Sequence, residues 1–87
     1  GWELGADKRK PAPWPLEQIM KHFSLEPRQL LMVDDLKPGW QMAQSCGVPF
    51  AFAGWGCGVE SIHDFMRRNA DYFLQQVSEL QALVLDE

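Results

Sequence analysis

The sequence predicts an α/β fold in three layers, a parallel sheet of about three strands with about four helices packed on both of its faces. Three observations carry this expectation. A continuous apolar run, Leu30-Leu31-Met32-Val33, stops on two adjacent carboxylates, Asp34 and Asp35; such a run suits a strand buried on both faces, as in a parallel sheet. Two more short apolar runs follow it, from Val48 to Ala53 and over Tyr72-Phe73-Leu74. Around these runs apolar residues recur at helical spacing, giving the alternation of βαβ units.

Taken in order, the first helix is expected from Trp14 to Phe23. Pro15 suits its first turn, and Leu16, Ile19, Met20 and Phe23 repeat at i, i+3, i+4 and i+7. Ser24-Leu25-Glu26-Pro27 ends it, and the strand from Leu30 to Val33 follows. Pro38 opens a second helix with Met42, Ala43 and Cys46 inward, and Gly47 is placed as its C-terminal cap. After the strand to Ala53, Ser61 and Asp64 have capping-box spacing ahead of a helix that runs to about Arg68, with Ile62, Phe65 and Met66 on one face. A short third strand over Tyr72-Phe73-Leu74 leads to a last amphipathic helix lined by Val77, Leu80, Leu83 and Val84.

Composition narrows the function classes. The chain has 87 residues, 46% hydrophobic and 23% charged, with a net charge of -4. That balance is ordinary for a globular domain and argues against disorder. The negative charge speaks against nucleic acid as a partner, since phosphate backbones require clustered Lys and Arg; the one basic cluster is Lys8-Arg9-Lys10. No apolar run has the length of a membrane span or of a signal-peptide core, so no membrane contact and a cytoplasmic address are expected. Cys46 and Cys57 do not form a Cys-x-x-Cys unit and fit a reducing compartment. Cys46 is expected as a small buried hydrophobe and Cys57 in a glycine loop.

The chemistry concentrates at the end of the first strand. In open α/β sheets ligands collect beyond the carboxyl ends of the strands, which is where Asp34 and Asp35 fall. Adjacent carboxylates repel, and a hard oxygen-loving cation such as Mg²⁺ relieves them. The pair therefore reads either as a metal or phosphoryl site or as a solvated turn ahead of a helix N-terminus. The loop Gly54-Trp55-Gly56-Cys57-Gly58 lacks the spacing of a dinucleotide-binding loop and reads as a flexible connection. His22 and His63 have no ligand partner at metal spacing and read as surface residues; Trp14, Trp40 and Trp55 read as core packing, and the four methionines as filling.

Upstream, Lys8-Arg9-Lys10-Pro11-Ala12-Pro13-Trp14-Pro15 presents Lys10 from an extended lead-in stiffened by proline. A Lys-Pro-x-Pro element, an amphipathic helix and an apolar strand ending in Asp-Asp together resemble the third and fourth motifs of the haloacid dehalogenase-like (HAD) superfamily of hydrolases. The continuation Gly47-Val48-Pro49-Phe50-Ala51-Phe52-Ala53-Gly54-Trp55-Gly56, with Asn69-Ala70-Asp71-Tyr72-Phe73, is similar to the C-terminal part of phosphoglycolate phosphatase-like members. The resemblance covers nearly the whole chain from Lys10 onward. It implies a Rossmann-like core of which residues 10–87 are the C-terminal βα units and residues 1–9 a loop remnant.

The same resemblance implies roles. Lys10 matches the family lysine that contacts the phosphoryl group and steadies the charge of the nucleophile. Asp35 matches the acid that helps hold Mg²⁺. Many relatives have glycine where this chain has Asp34 and a further Asp where it has Gly39, which leaves Asp34 open as a metal ligand or a supporting group. The family nucleophile lies in an Asp-x-Asp motif that becomes an aspartyl phosphate. No Asp-x-Asp occurs in the sequence, and no serine follows a strand as the second family motif requires. The expectation is the C-terminal segment of a Mg²⁺-dependent phosphatase, without cap or nucleophile, inactive alone, whose intact form hydrolyses a small phosphorylated metabolite. A response-regulator-like phosphoacceptor module or a non-catalytic interaction fragment is the alternative. With the neighbouring strand missing, the Leu30 to Val33 edge is expected to self-associate or to pair with the N-terminal half.

Overall fold

Proline and glycine punctuation sets where the elements start and stop. In the computed structural model, which describes residues 13–85, the first helix, α1, is Trp14–Phe23 with Pro15 in its opening turn. A proline costs nothing there because that N–H has no partner in a helix. The helix closes on Ser24, whose backbone is left-handed at φ 54°, and Leu25 N–H donates to the Met20 carbonyl at 2.8 Å. Only Leu16 is buried and Met20 packs on the core, whereas Ile19 and Phe23 are exposed. The inward stripe is thus narrower than the i, i+3, i+4, i+7 pattern predicted.

The first strand starts later than the apolar run suggests. Pro27–Gln29 form a single 3₁₀ turn, fastened by Glu26 N–H donating to Gln29 Oε1 at 2.8 Å. Leu30 N–H still bonds back to the Pro27 carbonyl, so Leu30 and Leu31 are spent leaving that turn. The strand, β1, is Met32–Asp34 in place of the predicted Leu30 to Val33. Helix α2, Lys37–Cys46, ends at Gly47 with φ 69°, a conformation that glycine adopts without strain. Strand β2 is Phe50–Ala53, helix α3 is Glu60–Asn69, β3 is Tyr72–Leu74 and α4 is Val77–Leu85.

The three strands form one parallel sheet in the order β1-β2-β3. Met32 pairs with Phe50 and Asp34 with Phe52, which in turn pairs with Phe73. Side chains alternate along a strand, so this register places Met32, Asp34, Phe50, Phe52 and Phe73 on one face. The core lies there, where Phe50, Phe52 and Met66 are fully buried among Leu16, Met42, Ala43 and Val48 from α1, α2 and the turn before β2. On the other face Ala51 and Ala53 are small and buried, and α4 brings Leu83 alongside Tyr72. Helices on both faces of a parallel sheet are the arrangement expected from the sequence.

Two further points fix the sheet. Asp71 makes a two-bond clamp at the start of β3, its Oδ2 accepting the Phe50 N–H at 2.8 Å while its own N–H donates to the Phe50 carbonyl at 3.0 Å. The capping box expected at Ser61 and Asp64 does not form. Helix α3 begins two residues earlier, at Glu60 after Val59, and Asp64 pairs with Arg67 at 2.9 Å, one turn along the exposed face. No helix of the described residues is long and apolar enough to cross a membrane.

Candidate functional site

Because the strands are parallel, the ends of β1, β2 and β3 lie along one edge of the sheet, with Asp34 and Asp35 at the end of β1. Asp34, the last residue of β1, turns its carboxylate back on its own turn. Its Oδ1 accepts the N–H of Asp35 at 2.6 Å and that of Leu36 at 3.3 Å. This local bonding satisfies the backbone where the chain leaves the strand and enters α2. The rest of the carboxylate lies against Gly39 in the first turn of α2. A Cβ on Gly39 would overlap that carboxylate and stand 2.6 Å from the Asp34 Cβ.

Asp35 faces a different wall. Its Oδ2 comes within 2.6 Å of where a Cβ on Gly56 would be, so the loop after β2 passes close to the carboxylate and leaves it room only because residue 56 has no side chain. Gly54, at the start of the same loop, is pressed against β3, since a Cβ there would stand 2.6 Å from the Leu74 carbonyl oxygen. Gly54 is thus required by the backbone of β3, and Gly56 leaves the Asp35 carboxylate its present orientation, so the reading of this stretch as merely flexible is corrected. Trp55 between them is 42% exposed, not part of the core. Trp40 does pack inward, edge-on to Phe65 at 4.8 Å, and Lys37 sets its ammonium 4.2 Å from the centre of the same ring.

His63 also departs from expectation. It is half-buried under the loop, edge-on to Phe52 at 5.0 Å and to Phe73 at 5.8 Å, with Nε2 2.7 Å from the Cys57 carbonyl oxygen. His22 is exposed as expected, against Phe23. Cys46 is half-buried, its thiol 3.5 Å from the Pro13 carbonyl oxygen, and burial together with the nearby Glu17 charge pushes its pKa up. Lys10 lies outside the described residues. A groove of about 420 Å³ lined by Leu30, Leu31, Tyr72, Leu83 and Val84 sits at the starts of the strands, away from the acids.

A match to a family model bears on the kind of protein this is. Residues 5–53, more than half of the chain, match the model described as haloacid dehalogenase-like hydrolase. The chain belongs to that family. The matched stretch contains Lys10, β1, the acid pair and β2, and it favours the hydrolase over the response-regulator alternative. Comparisons with curated proteins and with solved structures return no match.

The donors present fit the cation that the family generally uses. Mg²⁺ favours carboxylate oxygens, keeps several waters and is commonly bound through one or two carboxylates together with substrate phosphate. Asp34 and Asp35 supply two carboxylates, and Gly56 leaves open the space into which Asp35 projects. Among the described residues no group of three or more His, Cys, Asp or Glu side chains gathers into a metal cage. Bound there, Mg²⁺ would neutralise charge on a phosphoryl group. The residues act separately: Asp34 shapes the turn through two backbone bonds, and Asp35 is the carboxylate presented beyond the strand ends. The sequence singled out the two acids as candidates, and the structure adds the close approaches of Gly39 to Asp34 and Gly56 to Asp35 and the half-buried place of His63. Nothing in the pattern of a single chain marks Gly39 as a wall for the carboxylate of Asp34, 5 residues before it, or Gly56 for that of Asp35, 21 residues before it.

Proposed function

We propose that this chain carries the third and fourth motifs of a Mg²⁺-dependent, phosphoglycolate phosphatase-like member of the family, acting in the cytoplasm on a small phosphorylated metabolite. The observation that supports it best is the parallel strand β1 ending in Asp34 and Asp35 where the glycine loop after β2 gives way to the Asp35 carboxylate. In this reading Asp35 holds Mg²⁺ directly or through water, with Asp34 beside it, and Lys10 steadies the phosphoryl charge. The aspartate nucleophile comes from outside these 87 residues, because no Asp-x-Asp occurs within them. Without a nucleophile, charge stabilisation alone binds a phosphoryl group and does not turn it over.

The test pairs two protein samples. The 87-residue chain is expected to leave p-nitrophenyl phosphate and phosphoglycolate intact in millimolar Mg²⁺. The same chain joined to its upstream-encoded segment is expected to hydrolyse a phosphomonoester and to lose that activity with Asp35→Asn. Turnover by the short chain that survives purification and vanishes in Asp35→Asn overturns the assignment of the nucleophile. An extended protein indifferent to Asp35→Asn overturns the role of the acid.

A further inference from the structure

We infer that His63 is a positioning residue for the acid site: by holding the Cys57 carbonyl it keeps Gly56 against the Asp35 carboxylate. The inference rests on the reading of Asp35 as the cation-facing acid and adds a residue from α3 that has no direct contact with it. The connection is physical at each step. Gly54-Trp55-Gly56 is a short turn with glycine at both ends, and glycine has the greatest backbone freedom to lose. One end is fixed by the approach of Gly54 to the Leu74 carbonyl. The other end is Cys57, whose N–H donates to the Gly54 carbonyl at 3.3 Å and whose own carbonyl lies 2.7 Å from His63 Nε2.

A carbonyl oxygen only accepts, so Nε2 must carry a hydrogen. The contact is therefore an anchor for the loop. The ring is itself held, with Phe52 and Phe73 edge-on to it and the place of a Gly54 Cβ 3.3 Å from its Cε1. His63 thus transmits the position of α3 and the core to the loop whose Gly56 lies against the Asp35 carboxylate. Mg²⁺ tolerates little departure from octahedral geometry, and outer partners of metal ligands commonly change affinity by about 10–100-fold when removed.

The test uses the whole chain and Mn²⁺ as a paramagnetic stand-in for Mg²⁺. His63→Phe keeps a ring against Phe52 and Phe73 and removes the donor; His63→Gln restores a donor at similar reach. His63→Phe is expected to speed metal-free amide exchange at Gly56, Cys57 and Gly58 and to weaken Mn²⁺ binding by about tenfold, the low end of that range, and His63→Gln to recover both. Wild-type exchange and wild-type Mn²⁺ affinity in His63→Phe overturn the inference. Wild type that takes up no Mn²⁺ overturns the cation reading instead, and the exchange rates then decide the anchor by themselves. The ¹⁵N shifts of the His63 ring in the wild type give a check without substitution, since a ring in the Nδ1–H tautomer overturns the anchor outright.

Discussion

The carboxylate of Asp34 occupies the space that a side chain on Gly39 would need. A Cβ at position 39 would stand 2.6 Å from the Asp34 Cβ, an atom no rotamer can move away. Gly39→Ala therefore forces β1 and α2 apart, and overpacking of this kind costs about 1–3 kcal/mol. Asp34→Gly removes the obstacle, so the double variant Asp34→Gly/Gly39→Ala is expected to be more stable than the sum of the two single losses by about 1 kcal/mol, within the coupling range of residues in contact. Urea denaturation of the four proteins measures the cycle. Strict additivity would mean that the two residues do not touch.

Gly56→Ala tests the other wall and is expected to behave differently. The atom nearest to its Cβ is Asp35 Oδ2, the far end of a side chain that can rotate, and the Asp35 Cβ is 3.3 Å away. The carboxylate then swings aside at little cost in stability, within about 1 kcal/mol, but no longer faces the strand ends. The expected result is a melting temperature close to wild type with loss of the response to Mg²⁺. Calorimetry with and without the ion checks it, and an unaltered Mg²⁺ response would remove Gly56 from the site.

The contrast between these glycines shows what the sequence made legible. The acid pair could be found because an apolar run ended in charge, and the sheet because three such runs alternated with helical spacing. The start of β1 was misplaced because Leu30 and Leu31 are as apolar as a strand requires, and only the 3₁₀ turn at Pro27–Gln29, stitched by Glu26 and Gln29, uses them up. Periodicity likewise overstated the buried face of α1, since burial at Ile19 or Phe23 needs a neighbouring layer and not just a stripe. The walls of the site come from α2 and from the loop after β2, brought to the acids by tertiary packing that leaves no local mark.

Mg²⁺ itself should stabilise the chain weakly. A ligand at a concentration equal to its Kd adds RT ln 2, about 0.4 kcal/mol, which for a domain of this size is about 2–3 °C in Tm. A millimolar Mg²⁺ series is expected to show a rise of that order in the wild type and none in Asp35→Asn. Identical responses would make the pair a solvated turn.

Cys46 predicts an alkaline dependence. Burial and the Glu17 charge raise its pKa above the ordinary thiol value of 9.0, so the folded chain holds this proton more tightly than the unfolded one. Where the folded state binds more protons, stability falls as pH rises. The contribution is complete below the unfolded thiol pKa and is lost as pH climbs through the raised folded value. Stability measured from pH 8 upward is expected to fall less steeply in Cys46→Ala than in the wild type, and parallel curves would show that the thiol is not held in its neutral form.

The edge of β1 carries the last prediction. Met32 N–H donates to the Pro49 carbonyl, so in a parallel ladder the groups of Met32 and Asp34 face β2 and those of Val33 face outward. Among the described residues nothing pairs with that outer side in the sheet order β1-β2-β3. Val33 is 37% exposed on the face opposite the main core, whereas Met32 packs against that core, so a charge at 33 blocks pairing with the least harm to folding. An unpaired apolar edge recruits another strand, and two copies meeting about a two-fold axis would pair antiparallel through Val33. The proposal is that the chain self-associates there at micromolar concentration, bringing two Asp34-Asp35 turns to the ends of one extended sheet. Sedimentation is expected to show a dimer or larger species for the wild type and a shift to monomer for Val33→Lys with its circular dichroism unchanged. A monomeric wild type would mean that the outer side of β1 is already covered.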